Sequence, residues 1–379
     1  MTDDAGPATQ GASPPWPLGD LGRFRLEFPK GRLAAPPAGL KADPPGFEGV
    51  RLTGQADDGA PRSTASAAPP SILALSGGGA SGAYGAGVLV GLTAAGARPD
   101  FRVVTGVSTG ALIAPFAFLG SAWDERLTEA YTGPSAAEAI GVRALRAGVS
   151  GGLVAADALE ALVARFVDTA LIDAVGAQHR RGRRLLVATT NLDTLSTPVW
   201  DLGAIAAKGG DAARRLFIDV LAASASLPGL FAPRMIRVEA DGVAYEEMHV
   251  DGGTASPLLL APARLILENA IATDGTRGEV YAIINTTLEP IWREMPTSII
   301  AILSRSFDLM LASSYQGALR SAAELCERHH LTLKVTSLPI DLGRAHWMRF
   351  DQRSMTRTFK RGVEMAETGA VWARHPPPG

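Results

Sequence analysis

Two glycine-framed turns, each placed directly after a short apolar run, constrain the fold of this chain more than any other feature. The run Ile72–Leu75 leads into Ser-Gly-Gly-Gly-Ala-Ser-Gly at residues 76–82, and the run Val103–Thr105 leads into Gly-Val-Ser-Thr-Gly at residues 106–110. Each turn is followed by a longer apolar segment. The pattern predicts two strand–turn–helix units, which are typical of a sheet whose strands are joined through helices.

The same alternation of short apolar runs and longer helical ones continues over residues 70–375. It predicts a three-layer α/β sandwich with a mainly parallel central sheet flanked by helices. In such sheets, sites lie at the carboxyl ends of the strands, so both glycine turns are expected at one edge. The predicted strands are Ser71–Leu75, Val103–Thr105, Leu185–Thr190, Val280–Asn285 and Leu331–Leu338. The predicted helices are Ala83–Ala95, Thr109–Leu119, Ala155–Asp168, Asp211–Ser224, one or two helices over Ile299–Arg328, and one near Met355–Trp372.

The beginning of the chain differs in composition from the rest. Residues 1–70 contain 12 of the 26 prolines, together with much alanine, glycine and serine. A segment of this kind buries little apolar surface, so we expect residues 1–69 to be a largely disordered tail. Within it, the alternating segment Arg23–Phe28 predicts either an added edge strand or a segment that docks on the folded body.

Composition excludes several classes of function. The formal net charge of −2 gives no overall field that favours a nucleic acid, so no nucleic-acid partner is expected. The single cysteine, Cys326, excludes an internal disulfide and a cysteine-based metal cage. No clustering of histidines with acidic residues suggests a metal site. We therefore expect neither a metal nor a cofactor.

No segment has the pattern of a secretory signal or a membrane span. The N-terminus is acidic and lacks a basic region followed by an apolar run. Residues 64–97 carry no charge, but the prolines and consecutive glycines within them suit a strand, a turn and a helix better than a spanning helix. Gly87 and Gly91 only superficially resemble a membrane packing motif. The expected location is cytoplasmic or peripheral to a membrane.

Ser108 is the strongest candidate for a nucleophile. A serine at the centre of Gly-x-Ser-x-Gly, between a strand and a helix, is typical of a tight elbow that exposes the hydroxyl, and Gly106 and Gly110 leave room for the reversal. The following helix directs unpaired N–H groups and a positive dipole end at the hydroxyl. The alternative interpretation is an ordinary strand-to-helix turn.

The first glycine turn is consistent with two functions. Residues 77–82 read Gly-x-Gly-x-x-Gly, which also resembles a dinucleotide fingerprint. That fingerprint needs an acidic residue at the end of the next strand, whereas Asp100 precedes it. We therefore favour an oxyanion hole in which the backbone N–H groups of Gly77, Gly78 and Gly79 face a substrate carbonyl oxygen.

A serine nucleophile needs a base. The most informative residue in this respect is Asp251, although an aspartate before two glycines is also typical of an ordinary turn. It follows an apparent strand through residues 246–250 and precedes Gly252 and Gly253, which permit a tight turn close to another backbone. None of the six histidines has a clear catalytic context. His249 and Asp251 share one strand face, however, so a Ser–His–Asp arrangement stays open.

Taken together, these segments resemble the patatin-like phospholipase family. The match includes Ser-Gly-Gly-Gly-Ala-Ser-Gly-Ala-Tyr-Gly-Ala-Gly at residues 76–87, Gly-Val-Ser-Thr-Gly at 106–110 and Asp-Gly-Gly at 251–253. Two supporting stretches, a strand over 186–193 and a serine-rich segment over 222–233, also match. The resemblance covers roughly residues 70–370, and the order and spacing of the motifs make it specific.

The resemblance implies a patatin-like fold and a serine hydrolase with a Ser–Asp dyad. Ser108 would be the nucleophile and Asp251 the general base, with Gly77–Gly79 as the oxyanion hole. The family cleaves acyl esters of glycerolipids through an acyl-enzyme, usually without a metal. A phospholipid or lysophospholipid substrate and transient contact with a membrane surface are therefore expected. The glycines that would support the motifs are Gly82, Gly106, Gly110, Gly252 and Gly253.

Two alternatives to the dyad hydrolase stay open. An α/β-hydrolase-type esterase would use a histidine after Asp251, such as His329, His330 or His346. A catalytically silent lipid-binding relative would keep the fold without the chemistry. The chain also departs from the family at Ser81, where many members carry Arg or Lys, and this argues against strong selection for an anionic headgroup.

Two further segments are compatible with contact to lipids. The basic run 179–184, His-Arg-Arg-Gly-Arg-Arg, has the charge to touch acidic headgroups, although a solvated loop before a strand is the plainer interpretation. Trp292 and the apolar residues of 299–311 have the spacing of an interfacial helix face. A helix packed on the sheet explains the same spacing and is the interpretation we favour from the sequence.

Overall fold

The computed structural model describes the predicted domain and a short piece of the preceding tail. The rest of the tail, together with Trp292, His346 and His375, lies outside the described residues. The described ranges are 25–26, 70–133, 156–240, 243–260, 277–289, 294–342 and 350–374.

Strands and helices alternate along most of this part of the chain. The strands are β1 Arg25–Leu26, β2 Ser71–Leu75, β3 Phe101–Val107, β4 Arg184–Asn191, β5 Val199–Asp201, β6 Arg234–Ala240, β7 Val243–Asp251, β8 Glu279–Ile284, β9 Thr332–Ser337 and β10 Ala373–Arg374. The helices are α1 Ala83–Ala94, α2 Thr109–Leu119, α3 Asp124–Thr132, α4 Ala156–Phe166, α5 Thr169–Arg180, α6 Leu202–Lys208, α7 Gly210–Ser224, α8 Ile299–Arg328 and α9 Gln352–Glu367.

The main sheet has the strand order β1-β5-β4-β3-β2-β8-β9-β10 within the described residues. Its five central strands, β4, β3, β2, β8 and β9, are all parallel, and the outer pairs are antiparallel. The carboxyl ends of β2, β3 and β4 therefore meet at one edge. The β6–β7 hairpin pairs with the end of β4 through an antiparallel contact between Thr189 and Asp251. This pairing brings the aspartate of the third motif to the edge that carries the two glycine turns.

The central strands are buried because helices or loops cover both faces of the sheet. Leu73 and Leu75 contact one core, which is completed by the helices α1–α7 and α9. The alternate residues Ile72 and Ala74 contact a second core, completed by α8 and the segment 258–260. Buried parallel strands of this kind read as continuous apolar runs, because each face has its own partner. The predicted three-layer α/β sandwich is confirmed.

The short strand β1 lies at the edge of the main sheet. Arg25 and Leu26 pair antiparallel with Trp200 and Val199 of β5. This confirms the edge strand that the alternating segment Arg23–Phe28 predicts.

Helix α1 packs on α9 through glycines that allow the two backbones to approach closely. A Cβ atom on Gly87 would lie 2.0 Å from the Phe359 carbonyl oxygen, and one on Gly91 would lie 2.6 Å from the Val363 carbonyl oxygen. Gly362 of α9 is equally restricted, since its Cβ would lie 2.3 Å from the Tyr84 carbonyl oxygen. The spacing of Gly87 and Gly91 therefore serves helix packing inside the domain.

Helix α8 corrects one expectation from the sequence. It is a single helix of 30 residues, and its buried side chains begin only at Tyr315. Over residues 299–314, none of the described side chains is buried. The interpretation of this segment as a helix packed on the sheet is therefore wrong. A helix that runs antiparallel to a strand is covered by the sheet only over the length of that strand. Helix α8 is much longer than β9, so part of α8 extends past the sheet.

The close packing of α1 on α9 predicts opposite effects of two Gly→Ala substitutions on the free energy of unfolding. Gly87→Ala should destabilise the protein by about 1–3 kcal/mol, because the new methyl group would meet backbone that cannot move independently. Gly317→Ala, in the exposed face of α8 with nothing within 4 Å of the new Cβ, should instead stabilise it by roughly 0.5–1 kcal/mol through helix propensity. Denaturant unfolding measures both changes, and equal effects of the two substitutions would contradict the packing described here.

Candidate active site

Ser108 lies at a sharp reversal between β3 and α2. Its φ of 56° and ψ of −127° are unfavourable for a residue with a side chain. The backbone is held there by a hydrogen bond from the Ser108 N–H to the Ser224 Oγ, at 3.0 Å. The Ser224 hydroxyl in turn donates to the Ala188 carbonyl oxygen of β4. Strain of this kind persists only where the surroundings fix it, and it is typical of functional sites.

The glycines on either side of Ser108 have no space for a side chain. A Cβ atom on Gly106 would lie 2.5 Å from the Gly110 carbonyl oxygen. One on Gly110 would lie 2.4 Å from the Leu75 carbonyl oxygen at the end of β2. The elbow therefore needs both glycines, and it lies directly against the neighbouring strand that leads into the first glycine turn.

Asp251 is delivered to Ser108 by the end of β7. The Ser108 Oγ donates a hydrogen bond of 2.6 Å to the Asp251 Oδ2, and the Gly253 N–H donates one of 2.7 Å to the Oδ1. The Asp251 N–H donates to the Ser226 carbonyl oxygen. Gly252 allows the turn to approach β4, since a Cβ there would lie 2.5 Å from the Ala188 carbonyl oxygen. The structure thus brings the second and third motifs into direct contact.

The Asp251 carboxyl group is nearly removed from water, with an exposed fraction of 1%. Burial disfavours the charged form and raises the pKa of Asp251 to about 7. The hydrogen bonds from Ser108 and Gly253 act in the opposite direction and lower this pKa, but they do not offset burial. The carboxyl group is therefore able to take up and release a proton near neutral pH, which an exposed aspartate does not do.

The glycine turn after β2 lies beside Ser108, and its three glycines differ from one another. A Cβ atom on Gly77 would lie 3.3 Å from the Ser108 Cβ. The Gly77 N–H donates to the Pro257 carbonyl oxygen at 3.0 Å, so it is already used within the protein. The N–H groups of Gly78 and Gly79 have no acceptor in the described part of the chain, and both residues are half-buried.

Two residues that the sequence does not single out hold this turn in place. The Tyr315 hydroxyl of α8 donates to the Gly77 carbonyl oxygen at 3.0 Å. Asn285, at the end of β8, donates from its side-chain Nδ2 to the Ser76 carbonyl oxygen and accepts from the Gly85 N–H. Gly78, at a φ of 154°, leaves no room for a Cβ, which would lie 2.2 Å from the Asn285 carbonyl oxygen. Both anchors come from distant parts of the chain.

The last glycine of the first motif joins the two turns. A Cβ atom on Gly82 would lie 2.0 Å from the Thr109 Oγ1, the residue after Ser108. The Thr109 hydroxyl is bonded to the Tyr131 hydroxyl at 2.8 Å. Ser81, where the resemblance leads one to expect Arg or Lys, is buried, and its N–H donates to the Gly78 carbonyl oxygen. This position therefore places no cation at the turn.

The described histidines do not contact Ser108. The two ring nitrogens of His249 are hydrogen-bonded to the Thr189 hydroxyl and the Glu247 carboxylate. His329 and His330 lie between α8 and the start of β9, which is the amino edge of the sheet and opposite to Ser108. His179 precedes β4 and lies at the same amino edge. The geometry gives no support to a histidine base among these residues.

The comparison with protein families gives a direct result. The model of the patatin-like phospholipase family matches residues 73–264, which is about half of the 379-residue chain. The chain belongs to the patatin-like phospholipase family. The matched residues include all three motifs of this patatin-like domain. No curated protein matches its sequence.

Among solved structures, the patatin-like chain is similar to the crystal structure of VipD from Legionella pneumophila. The two are 11% identical, and the TM-score is 0.32. The similarity covers 79% of this chain and 67% of the VipD chain.

Two further observations concern the surroundings of the site. Within the described ranges, no group of three or more His, Cys, Asp or Glu side chains has an arrangement that could hold a metal ion. None of the helices in those ranges combines the length and the apolar character needed to cross a membrane.

Burial of the Asp251 carboxyl group leads to a prediction about the thermal stability of the protein. Asp251→Asn should melt a few degrees above the wild type near pH 8, and the difference should shrink near pH 5. The folded-state pKa of about 7 lies above the ordinary value for aspartate. The folded protein is therefore destabilised by the ionised carboxylate as the pH rises towards and through 7, while the neutral amide carries no such cost. Thermal unfolding followed by circular dichroism tests this. A wild type that melts above Asp251→Asn near pH 8 would contradict it.

Proposed function

We propose that this protein is a serine lipid acyl hydrolase that cleaves acyl esters of phospholipids or lysophospholipids through an acyl-enzyme. The observation that carries the proposal is the 2.6 Å hydrogen bond between the Ser108 Oγ and the buried Asp251 Oδ2. Membership of the patatin-like phospholipase family supports the general class of lipid acyl hydrolase. The dyad, the oxyanion hole and the substrate class are our proposals.

In the proposed acylation step, the Ser108 Oγ attacks the carbonyl carbon of the ester while its proton passes to the Asp251 Oδ2. The carbonyl oxygen becomes an oxyanion in the tetrahedral intermediate. When this collapses, the ester C–O bond breaks, Asp251 returns the proton to the leaving alkoxide, and the acyl group stays on Ser108. In the second step, Asp251 takes a proton from water, the resulting hydroxide attacks the acyl carbon, and Ser108 regains its proton as the fatty acid leaves.

We propose that Gly78 and Gly79 donate to the oxyanion. Their N–H groups have no acceptor in the described residues and lie in the turn next to Ser108. Preorganised N–H donors at the position of the developing charge are among the largest contributions to such reactions. The Gly77 N–H, which the sequence places in the same hole, is engaged by the Pro257 carbonyl oxygen. In our proposal Gly77 therefore sets the shape of the turn, and the Tyr315 hydroxyl holds its carbonyl oxygen.

The organisation of the whole chain is also part of the proposal. We assign residues 70–375 to the hydrolase domain and residues 1–69 to a tail that takes no part in the chemistry. The proposed partners are a lipid or acyl-ester substrate and, transiently, a membrane surface. A catalytically silent relative would not need a serine held in a strained backbone and in contact with a buried carboxyl group, so the geometry favours an enzyme.

The proposal predicts loss of esterase activity on substitution of either dyad residue. Ser108→Ala and Asp251→Asn should each lower kcat/KM for p-nitrophenyl acyl esters and for a lysophospholipid by about 10³ or more, because each removes a group that moves in the transition state. Ser313→Ala, on the exposed part of α8, is the matched control and should retain wild-type activity. Activity that survives in Ser108→Ala would show that the nucleophile is another residue.

The raised pKa of Asp251 predicts an acid limb in the pH profile. The base must be ionised to accept the proton, so kcat/KM for a soluble ester should fall about tenfold per pH unit below about 7. Initial rates at subsaturating ester across a range of buffers measure this limb. A profile that stays flat down to the ordinary range for aspartate would exclude a buried carboxyl base.

A further inference from the structure

The exposed large hydrophobic side chains of the described residues are concentrated at one edge of the molecule. Leu192 and Leu195 follow the carboxyl end of β4, and Ile340 follows the carboxyl end of β9. Met235 is the neighbour of Arg234 on β6. Arg234 pairs with a residue of β7, and that residue pairs with the last residue of β4. This is the edge that carries Ser108. The remaining four belong to the first half of α8: Ile299, Ile302, Leu309 and Met310.

The first half of α8 projects beyond the sheet at the same edge. Tyr315 is anchored on Gly77, level with the end of β2, and the helix continues from there towards residue 299. Residues 299–314, which we call the α8 arm, extend for about 24 Å at the rise of an α-helix. Leu309 and Met310 are each 68% exposed and Ile299 is 76% exposed. Exposed apolar surface of this extent marks a surface that contacts a partner or a lipid phase.

A basic cleft of about 700 Å³ runs along one side of α9. We call it the α9 cleft; Ser108 is not part of it. Arg353, Arg357 and Lys360 line it at helical spacing, all three are exposed, and none has an acidic partner in the described residues. A fourth cation, Arg361, pairs with Glu364 at 3.0 Å, the carboxylate of the cleft. The cleft therefore carries an excess of positive charge.

The α9 cleft opens beside the edge that carries Ser108. Gln352, at the start of α9, donates from its side chain to the Thr132 carbonyl oxygen at the end of α3. The neighbouring Tyr131 is bonded to Thr109, the residue after Ser108. Leu342, which also lines the cleft, follows the carboxyl end of β9. The exposed apolar side chains and the cations of the cleft thus flank the edge that carries Ser108, with α8 on one face of the sheet and α9 on the other.

We propose that this edge docks on an anionic lipid bilayer, with the apolar side chains of the α8 arm entering the interface and the α9 cleft binding anionic headgroups. Charge complementarity selects this occupant over a second copy of the chain, because Asp308, the acidic residue of the arm, already pairs with Arg305 and so leaves no carboxylate there for the three cations. Exposed apolar residues beside a basic helix face are the combination that holds proteins at anionic interfaces. The inference rests on the proposed function, since docking would deliver acyl esters to Ser108.

The basic run at residues 179–184 provides a built-in comparison. It lies between α5 and β4, at the amino edge of the sheet, opposite to Ser108. Arg180 and Arg181 are exposed, like Arg353 and Arg357. If overall charge alone governs binding to lipid, substitution of either arginine pair should weaken that binding equally. If the docking edge governs it, only the α9 pair matters.

The experiment is sedimentation of the full chain with vesicles of phosphatidylcholine alone or mixed with phosphatidylglycerol. All proteins carry Ser108→Ala, so that binding is measured without hydrolysis and is independent of whether the proposed chemistry is right. The variants are Arg353→Gln with Arg357→Gln, Arg180→Gln with Arg181→Gln as the control, and Leu309→Gln with Met310→Gln. All six positions are exposed, and circular dichroism verifies that each variant is folded.

The proposal predicts binding to the mixed vesicles that weakens as salt is raised, and much weaker binding to phosphatidylcholine alone. The α9 pair should lower the partition coefficient about twenty-five-fold, since each cation near an anionic surface contributes roughly five-fold. The α8 pair should lower it as well, while the control pair should bind like the parent. Failure to bind mixed vesicles, or equal losses for the α9 and control pairs, would overturn the proposal. A dimer by sedimentation velocity that Leu309→Gln with Met310→Gln breaks, with vesicle binding unchanged, would assign the arm to a second copy instead.

Discussion

A carboxyl group withdrawn from water lies 2.6 Å from the hydroxyl of a serine in a strained backbone, and much of the surrounding architecture holds this pair together. A buried carboxylate without partners would cost several kcal/mol, so its position has to be fixed closely. Asp251 is therefore fixed on three sides: its carboxyl group binds Ser108 and Gly253, its N–H binds the Ser226 carbonyl oxygen, and its own carbonyl oxygen accepts from Thr190. The pair is compatible with proton transfer near neutral pH.

The close approach of backbones at this edge explains why glycine occurs at so many positions. The elbow at Ser108, the glycine turn after β2 and the turn after Asp251 come from three separate parts of the chain, and they meet within the space of a few side chains. Gly82 contacts Thr109, Gly110 contacts the end of β2, and Gly252 contacts β4, each at a distance that excludes a Cβ atom. The three motifs could therefore not meet without their glycines. This role is separate from any part that the glycine N–H groups take in the chemistry.

The sequence was sufficient for the local features of the fold and insufficient for the long-range ones. Strand β2 and helix α2 have the bounds that the sequence predicts, because short apolar runs and glycine turns are local signals. The anchoring roles of Ser224, Tyr315 and Asn285 could not be predicted, since they depend on which strands become neighbours. For the same reason the engagement of the Gly77 N–H by the Pro257 carbonyl oxygen has no signature in the sequence.

The exposed first half of α8 was missed because its apolar spacing is the same whether the face is covered or not. Helices α3 and α5 were not predicted either.

Activation of Ser108 by Asp251 is tested most directly by covalent labelling with a fluorophosphonate. Attack of the Ser108 oxygen on phosphorus displaces fluoride and leaves a stable adduct that peptide mass spectrometry locates. We expect one adduct, on Ser108. Its rate of formation should rise with pH to a plateau above about 7, and Asp251→Asn should abolish it. An adduct on another residue, or labelling of Ser108 in Asp251→Asn at the wild-type rate, would contradict the account.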